Sequence, residues 1–245
     1  MTPINTLNTI GLLGGMSWES SLLYYQQINQ HIRVALGGLH SAPIILDSVD
    51  FSIIAAWQQT NEWDKASIYL SQRAQKLEAA GASCVAIATN TMHKVYDAIA
   101  SSVSVPVLHI AQPTIAALHD AGIQRIAFLG TRYSMTEDFI RSRFAQAGID
   151  VLVPEATDCD CIHNVIFDEL CQGLVRRHSK HQYQHIVSKL TQQGAQGVVL
   201  GCTEIGLLLT QNDVDVPLFD TTALHTRALA DVVLHGTQPI NTLQQ

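Results

Sequence analysis

Long apolar runs are missing from this 245-residue chain. No window reaches the roughly 18 consecutive apolar residues of a membrane span, and the opening MTPINTLNTIGLLGG has no basic segment leading into a long apolar one. Together these absences predict a soluble, cytoplasmic protein with no membrane partner. Charge is sparse too, at 14% of residues, with 14 basic against 21 acidic side chains, a formal net charge of −7 and no basic run beyond Arg176-Arg177. A nucleic-acid partner therefore has no electrostatic footprint to bind. Neither GxGxxG nor GxxxxGK[ST] occurs, since Gly14-Gly15 lacks the third glycine of a dinucleotide fingerprint, so nucleotide cofactors are not expected. The GxSxG elbow of a serine hydrolase is absent as well. Five cysteines, odd in number and irregularly spaced, suggest reduced thiols rather than a disulfide framework. Cys159-Asp160-Cys161 lacks a second ligand pair at zinc-like spacing and reads as an acidic loop, so no metal is expected.

What the chain has is 47% apolar residues, gathered into short Val-, Ile- and Leu-rich runs that alternate with longer amphipathic stretches. That alternation is the mark of parallel strands buried between helices. Strands are expected over Ile10–Leu13, Ile44–Phe51, Cys84–Ala88, Val107–Ile110, Arg125–Leu129, Asp150–Val153, Val198–Leu200 and Pro217–Phe219. Helices are expected over Trp18–Leu36 with Ser17 as N-cap, Trp63–Ala80 closed by Gly81, Thr114–Ala121, Met135–Ala147 and Thr222–Leu234. Ile162–Gln193 favours helix with breaks at Gly173 and between Arg176 and His181, and the tail from Gly236 onward is expected to be loose.

One strand-and-turn unit occurs twice. LEAAGASCVAIATNT from Leu77 aligns without a gap on LTQQGAQGVVLGCTE from Leu190, placing Gly81 on Gly194, Ala82 on Ala195 and Thr89 on Cys202. IGLLGG from Ile10 likewise matches IAFLGT from Ile126, and VPVLHIA from Val105 matches VPLFDTT from Val216. Three pairs in the same order argue for a duplicated α/β unit: two similar doubly wound parallel-sheet lobes related by a pseudo-two-fold duplication. The division expected is residues 1–112 plus 221–245 for the first lobe and 113–220 for the second. Doubly wound sheets take ligands beyond the carboxyl ends of their strands, which is where every turn of interest falls. Facing lobes would set Thr89 and Cys202 on opposite walls of one cleft.

Cys202 lies in a turn after an apolar run, near free backbone N–H groups that could lower its pKa and make it a base or nucleophile; buried packing is the alternative. Cys84 reads as strand packing and Cys171 as part of a helical stretch. Asn90, Thr91, Thr131 and Thr203 bring hydroxyl, amide and backbone donors to strand ends, where they can hold a small carboxylate without metal or cap a helix. His93 is placed to tune Thr89 or to make structural hydrogen bonds.

At NTMH (Asn90–His93), GCTE (Gly201–Glu204), GGMSW (Gly14–Trp18) and LGTRYSM (Leu129–Met135), the sequence resembles the aspartate/glutamate racemase superfamily over nearly its whole length. The resemblance implies two α/β lobes with the active site between them, no pyridoxal phosphate, metal or nucleotide, a small acidic amino acid or dicarboxylate as substrate, and a homodimer. Two cysteines in that family flank the substrate α-carbon and exchange protons on opposite faces. The second carries over to Cys202; the first falls at Thr89, a departure. A threonine hydroxyl yields far less conjugate base than a thiol near neutral pH. Cys202 is thus the expected α-proton base, acting by analogy on L-aspartate or L-glutamate, with Thr89 on the other face. Met16, Asn90, Thr91, Thr131, Thr203 and Glu204 are the substrate-binding residues implied. Arg132 is a candidate carboxylate clamp, and Cys171 stands where some members carry a lysine. Superfamily members with a single retained cysteine include decarboxylases of malonate-like substrates and a maleate isomerase, so Thr89 keeps those activities open, as well as a non-catalytic binder of acidic amino acids.

Overall fold

The structure, a computed structural model, describes residues 7–237. Its fold is α/β, and its described strands form two parallel four-stranded sheets. The first contains β1 (Ile10–Gly14), β2 (Ile44–Ser48), β3 (Cys84–Ile87) and β4 (Val107–Leu108) in the order β2-β1-β3-β4. The second contains β5 (Arg125–Gly130), β6 (Asp150–Leu152), β7 (Gly197–Gly201) and β8 (Leu218–Asp220) in the order β6-β5-β7-β8, the same topology with each strand's counterpart in the same slot. The chain divides into two compact units. One consists of residues up to Ala88, Val95–His109 and the residues from Thr226; the other of Thr89–Lys94 and Ile110–His225.

Within the first unit the central strands are apolar runs buried on both faces, as a parallel sheet covered by helices requires. Ile10, Leu12, Leu13, Val85, Ala86 and Ile87 are all inaccessible. Tyr24, Ile28 and Ile32 supply one stripe from the helix Trp18–Leu36, and Leu229, Ala230 and Val233 another from the helix Thr221–His235. Ser17 caps the former, its side chain accepting from Ser20 N–H. The second unit repeats the plan around Ile126, Phe128, Leu129, Val198 and Val199, with Phe144 and Tyr183 filling the space beneath its helices.

The equivalence of the halves extends to single hydrogen bonds. In each, a helix ends at a left-handed glycine, Gly81 (φ 99°) or Gly194 (φ 101°), where a side chain would be strained. The following N–H closes the turn, Ala82 N to Leu77 O at 3.1 Å and Ala195 N to Leu190 O at 3.0 Å. The next residue joins the neighbouring strand, Ser83 N to Thr9 O and Gln196 N to Arg125 O, both at 2.8 Å. Val85 N then meets Pro106 O at 2.9 Å, and Val198 N meets Pro217 O at 2.8 Å.

Three sequence expectations need correction. Ile44–Phe51 is not one strand: Asp50 accepts from Ser52 N–H at 3.0 Å and starts a helix, Phe51–Gln59, so its N-cap outweighs the strand preference of Val49 and Phe51. The stretch around Cys159-Asp160-Cys161 is a helix, Ala156–Asp168, rather than an acidic loop. Its Cys159, Ile162, Val165 and Ile166 form a buried helical stripe that the intervening polar residues conceal. Met135–Ala147 is two helices, Arg132–Thr136 and Asp138–Gln146, divided where Glu137 turns extended. The expected loose tail lies beyond residue 237, outside the described residues, except for Gly236 and Thr237. No described helix is long and apolar enough to cross a membrane.

The end of β7 is sterically closed. A Cβ built on Gly201 would lie 2.1 Å from Cζ of Phe128, whose ring is fully buried. Overpacking of this kind typically destabilises by about 1–3 kcal/mol. Gly201→Ala is expected to lower stability by that amount in urea unfolding, and Phe128→Leu on the same background to restore part of it; a Gly201→Ala protein as stable as the wild type would contradict this packing.

Candidate active site

The second unit gathers most of the residues singled out above. Thr89 to Lys94 follow β3, pass into a 3₁₀ helix, Thr91–Val95, and are held at four points. Asn90 Nδ2 donates to Thr221 Oγ1 at 3.0 Å, and the hydroxyls of Thr91 and Thr131 lie 3.1 Å apart. His93 Nε2 accepts from Ile110 N–H at 3.1 Å, and Lys94 pairs with Glu137. Asn90 and Thr91 are buried as a result, whereas Thr89 is only half-buried.

His93 has a structural task. Because Nε2 accepts from Ile110, the ring hydrogen sits on Nδ1, which donates to the Thr89 carbonyl at 2.9 Å. The imidazole thus fixes the backbone of Thr89 without approaching its hydroxyl through these bonds. Burial is the main force pushing its pKa down from 6.5 to about 4, aided by the Arg143 charge and opposed by the Thr89 and Asn90 backbone.

At the end of β7, Cys202 Sγ donates to Glu204 Oε2 at 3.0 Å, and the Thr203 hydroxyl donates to the same oxygen. All three side chains are buried. Cys202 departs from expectation: its thiol is pushed well above the ordinary range, not lowered. Burial contributes most, the Glu204 charge next and nearby Cys171 after it; a backbone bond works the other way but is outweighed. In the resting protein Cys202 is a protonated thiol. Glu204 is engaged by two donors of its own turn, a use that sequence reasoning did not assign to it. Cys171 lies in a 3₁₀ turn, Leu170–Gln172, and borders the core that contains Cys202.

Thr131 caps the helix Arg132–Thr136 by accepting from Ser134 N–H. Arg132 is exposed and ion-paired with Asp160 at 2.8 Å, which occupies the charge a substrate carboxylate would need. Met16 is buried and belongs to the first unit. Two residues escaped the sequence reading. Thr221 is buried, and its hydroxyl donates to the Leu200 carbonyl at 2.8 Å while accepting from Asn90. Beside it, Thr222 Oγ1 and the Asn90 Oδ1 are the buried side-chain atoms without a hydrogen-bond partner among the described residues. The sequence did contain a signal, since Asp220-Thr221-Thr222 follows an apolar run just as the other strand-end threonines do.

His93 favours the neutral form when folded, so the unfolded chain takes up its proton first as pH falls. Its contribution to stability is present above 6.5 and lost between 6.5 and about 4, amounting to ~3 kcal/mol overall. Urea unfolding is expected to show stability falling across that window, by at most about 1.4 kcal/mol per pH unit from this residue. His93→Gln, which can still donate and accept, should flatten that part of the curve; an unchanged slope in the variant would assign the titration elsewhere.

Residues 13–229 match the Asp/Glu/Hydantoin racemase family. A Yersinia pestis protein whose crystal structure is described as that of a candidate Asp/Glu racemase is 46% identical, with a TM-score of 0.89 over 94% of this chain and 100% of that one. An aspartate racemase homologue from Pyrococcus horikoshii OT3 is 31% identical, with a TM-score of 0.82 over 93% and 99% of the two chains. RacX of Bacillus subtilis (strain 168), a broad specificity amino-acid racemase, is 24% identical over 237 residues, covering 92% of this chain and 98% of RacX. Two sheets of one topology, strand-end turns rich in hydroxyls and a match spanning both units lead to one assignment: the chain belongs to the Asp/Glu/Hydantoin racemase family.

Proposed function

We propose that the protein is a cofactor-independent racemase of an acidic amino acid, L-aspartate, L-glutamate or both, with Cys202 as the α-proton base and Thr89 on the opposite face of the substrate. The observation that carries this reading is the Cys202 thiol bonded to Glu204 Oε2, which gives the thiol's proton a place to go. A raised thiol pKa is compatible with the role. Thiolate is scarce at rest, and once its proton has passed to Glu204 the loss of that charge removes part of the shift; burial, the largest cause, still leaves the thiolate a stronger base than an ordinary one, as a weakly acidic α-C–H requires. Glu204 is then a proton relay for Cys202 rather than a ligand for substrate, since a carboxylate so placed repels the substrate's own carboxylates. Asn90, Thr91, Thr131 and Thr203 supply hydroxyl and amide contacts to the substrate. Thr89 hands over a proton drawn from a water it positions, the hydroxide left behind being neutralised by the proton that Glu204 releases to solvent, but it takes one up poorly.

A second reading has a specific observation in its favour. A resting, protonated thiol opposite a threonine is also what a single-cysteine decarboxylase of a malonate-like acid requires, because that chemistry needs a proton donor on one face only. The unliganded arylmalonate decarboxylase structure shares the fold at 12% identity, with a TM-score of 0.51, and supports no more than that.

Incubation of each enantiomer of aspartate and glutamate in D₂O separates the readings. Faster α-deuterium incorporation into the L-form is expected, Cys202→Ala should abolish it, and Thr89→Cys should raise the rate on the D-form by about tenfold or more. Faster exchange of the D-form, or retained activity in Cys202→Ala, would overturn the assignment. Release of CO₂ from a disubstituted malonate, with no exchange of either amino acid, would favour the decarboxylase.

A further inference from the structure

Thr221 has a single hydroxyl hydrogen, and it goes to the Leu200 carbonyl at 2.8 Å. All it can offer Asn90 is a lone pair, which only the NH₂ end of the amide can use, at 3.0 Å. Reversed, the amide would set its Oδ1 against the Thr221 oxygen, two acceptors facing each other with no hydrogen between them. Thr221 therefore selects one of the two orientations open to Asn90. The Oδ1 is left buried on a residue only 4% exposed, with no partner among the described residues. An unsatisfied buried acceptor is costly and attracts a donor.

The position of this bridge matters as much as its chemistry. Leu200 lies two residues before Cys202, and Asn90 directly follows Thr89. One hydroxyl thus links the strand end carrying one proposed acid–base group to the turn carrying the other. We propose that Thr221 is a positioning residue, holding the Asn90 amide so that its Oδ1 accepts from the substrate ammonium, the one set of N–H donors on aspartate or glutamate. This inference deepens the racemase reading and rests on it for the identity of the ligand. The unpartnered hydroxyl of Thr222, itself 1% exposed, is a second buried oxygen on the adjoining residue that an ammonium could satisfy.

The test is a double-mutant cycle in the full chain, read by α-deuterium exchange of L-aspartate and L-glutamate and, in parallel, by urea unfolding. Thr221→Val keeps the shape and removes the hydroxyl, and is expected to lower kcat/KM by about tenfold or more, mainly through KM. Thr221→Ser keeps the hydroxyl and should stay within about threefold of wild type. If Thr221 acts through Asn90, adding Thr221→Val to Asn90→Ala costs no more than about a further twofold, and the two stability losses are likewise less than additive. Multiplying kinetic losses, full activity in Thr221→Val, or failure of a stably folded Thr221→Ser would overturn the proposal. Should the wild type exchange neither amino acid, the racemase reading fails separately, and the unfolding cycle still decides the link: additive stability losses for Asn90→Ala and Thr221→Val would refute it.

Discussion

A thiol and a carboxylate share one buried hydrogen bond just after β7, and the activity proposed for this protein depends on where its proton lies. Burial disfavours the thiolate, and the negative charge of Glu204 disfavours it further, so the proton stays on Cys202. What remains is a thiol that can donate a proton at rest. The fold keeps the pair in place by steric means: Gly201 lets the Phe128 ring lie flush against the strand, and Cys202 follows directly into the turn.

Duplication supplies the scaffold, and divergence supplies the chemistry. Both halves turn from helix to strand through a left-handed glycine and place a residue of interest beyond the equivalent strand of its own sheet. At those equivalent posts one copy has Thr89 and the other Cys202. Two residues on, the alignment sets Thr91 against Glu204, so a carboxylate stands at this post only in the copy that carries the thiol. The hydroxyl side is instead built for rigidity. Thr91 meets Thr131, Asn90 meets Thr221, and His93, neutral and buried, secures the Thr89 carbonyl. An asymmetry seen first as one substitution thus extends through the whole surroundings of each residue.

Much of the fold was legible because burial writes itself into sequence. Strands such as Ile10–Gly14 and Gly197–Gly201 are covered on both faces and appear as unbroken apolar runs, and glycines at 81 and 194 mark helix ends with little ambiguity. Legibility failed where two local preferences competed. Phe51 extends the polar–apolar alternation of Ser48-Val49-Asp50 but follows a capping aspartate, and the helix Ala156–Asp168 hides its buried stripe among acidic residues. At the site, residue types pointed to Cys202, Thr89 and the strand-end threonines, but not to the sign of the thiol's pKa shift. Backbone N–H groups near a turn were visible in the sequence; the carboxylate directed at the sulfur, and the depth of burial, depend on side-chain geometry. Thr221 was missed for a related reason, as its importance lies in joining Asn90 to Leu200, residues far apart along the chain.

The central claim is that Cys202 rests as a thiol held by Glu204. Its most direct test is a pH titration of the ultraviolet thiolate absorbance, taken as the difference between the wild-type protein and Cys202→Ala and repeated with Glu204→Gln. The account predicts an apparent pKa above the ordinary 9.0 of a cysteine, falling when the Glu204 charge is removed. A thiolate already formed at neutral pH, or a pKa indifferent to Glu204→Gln, would contradict it.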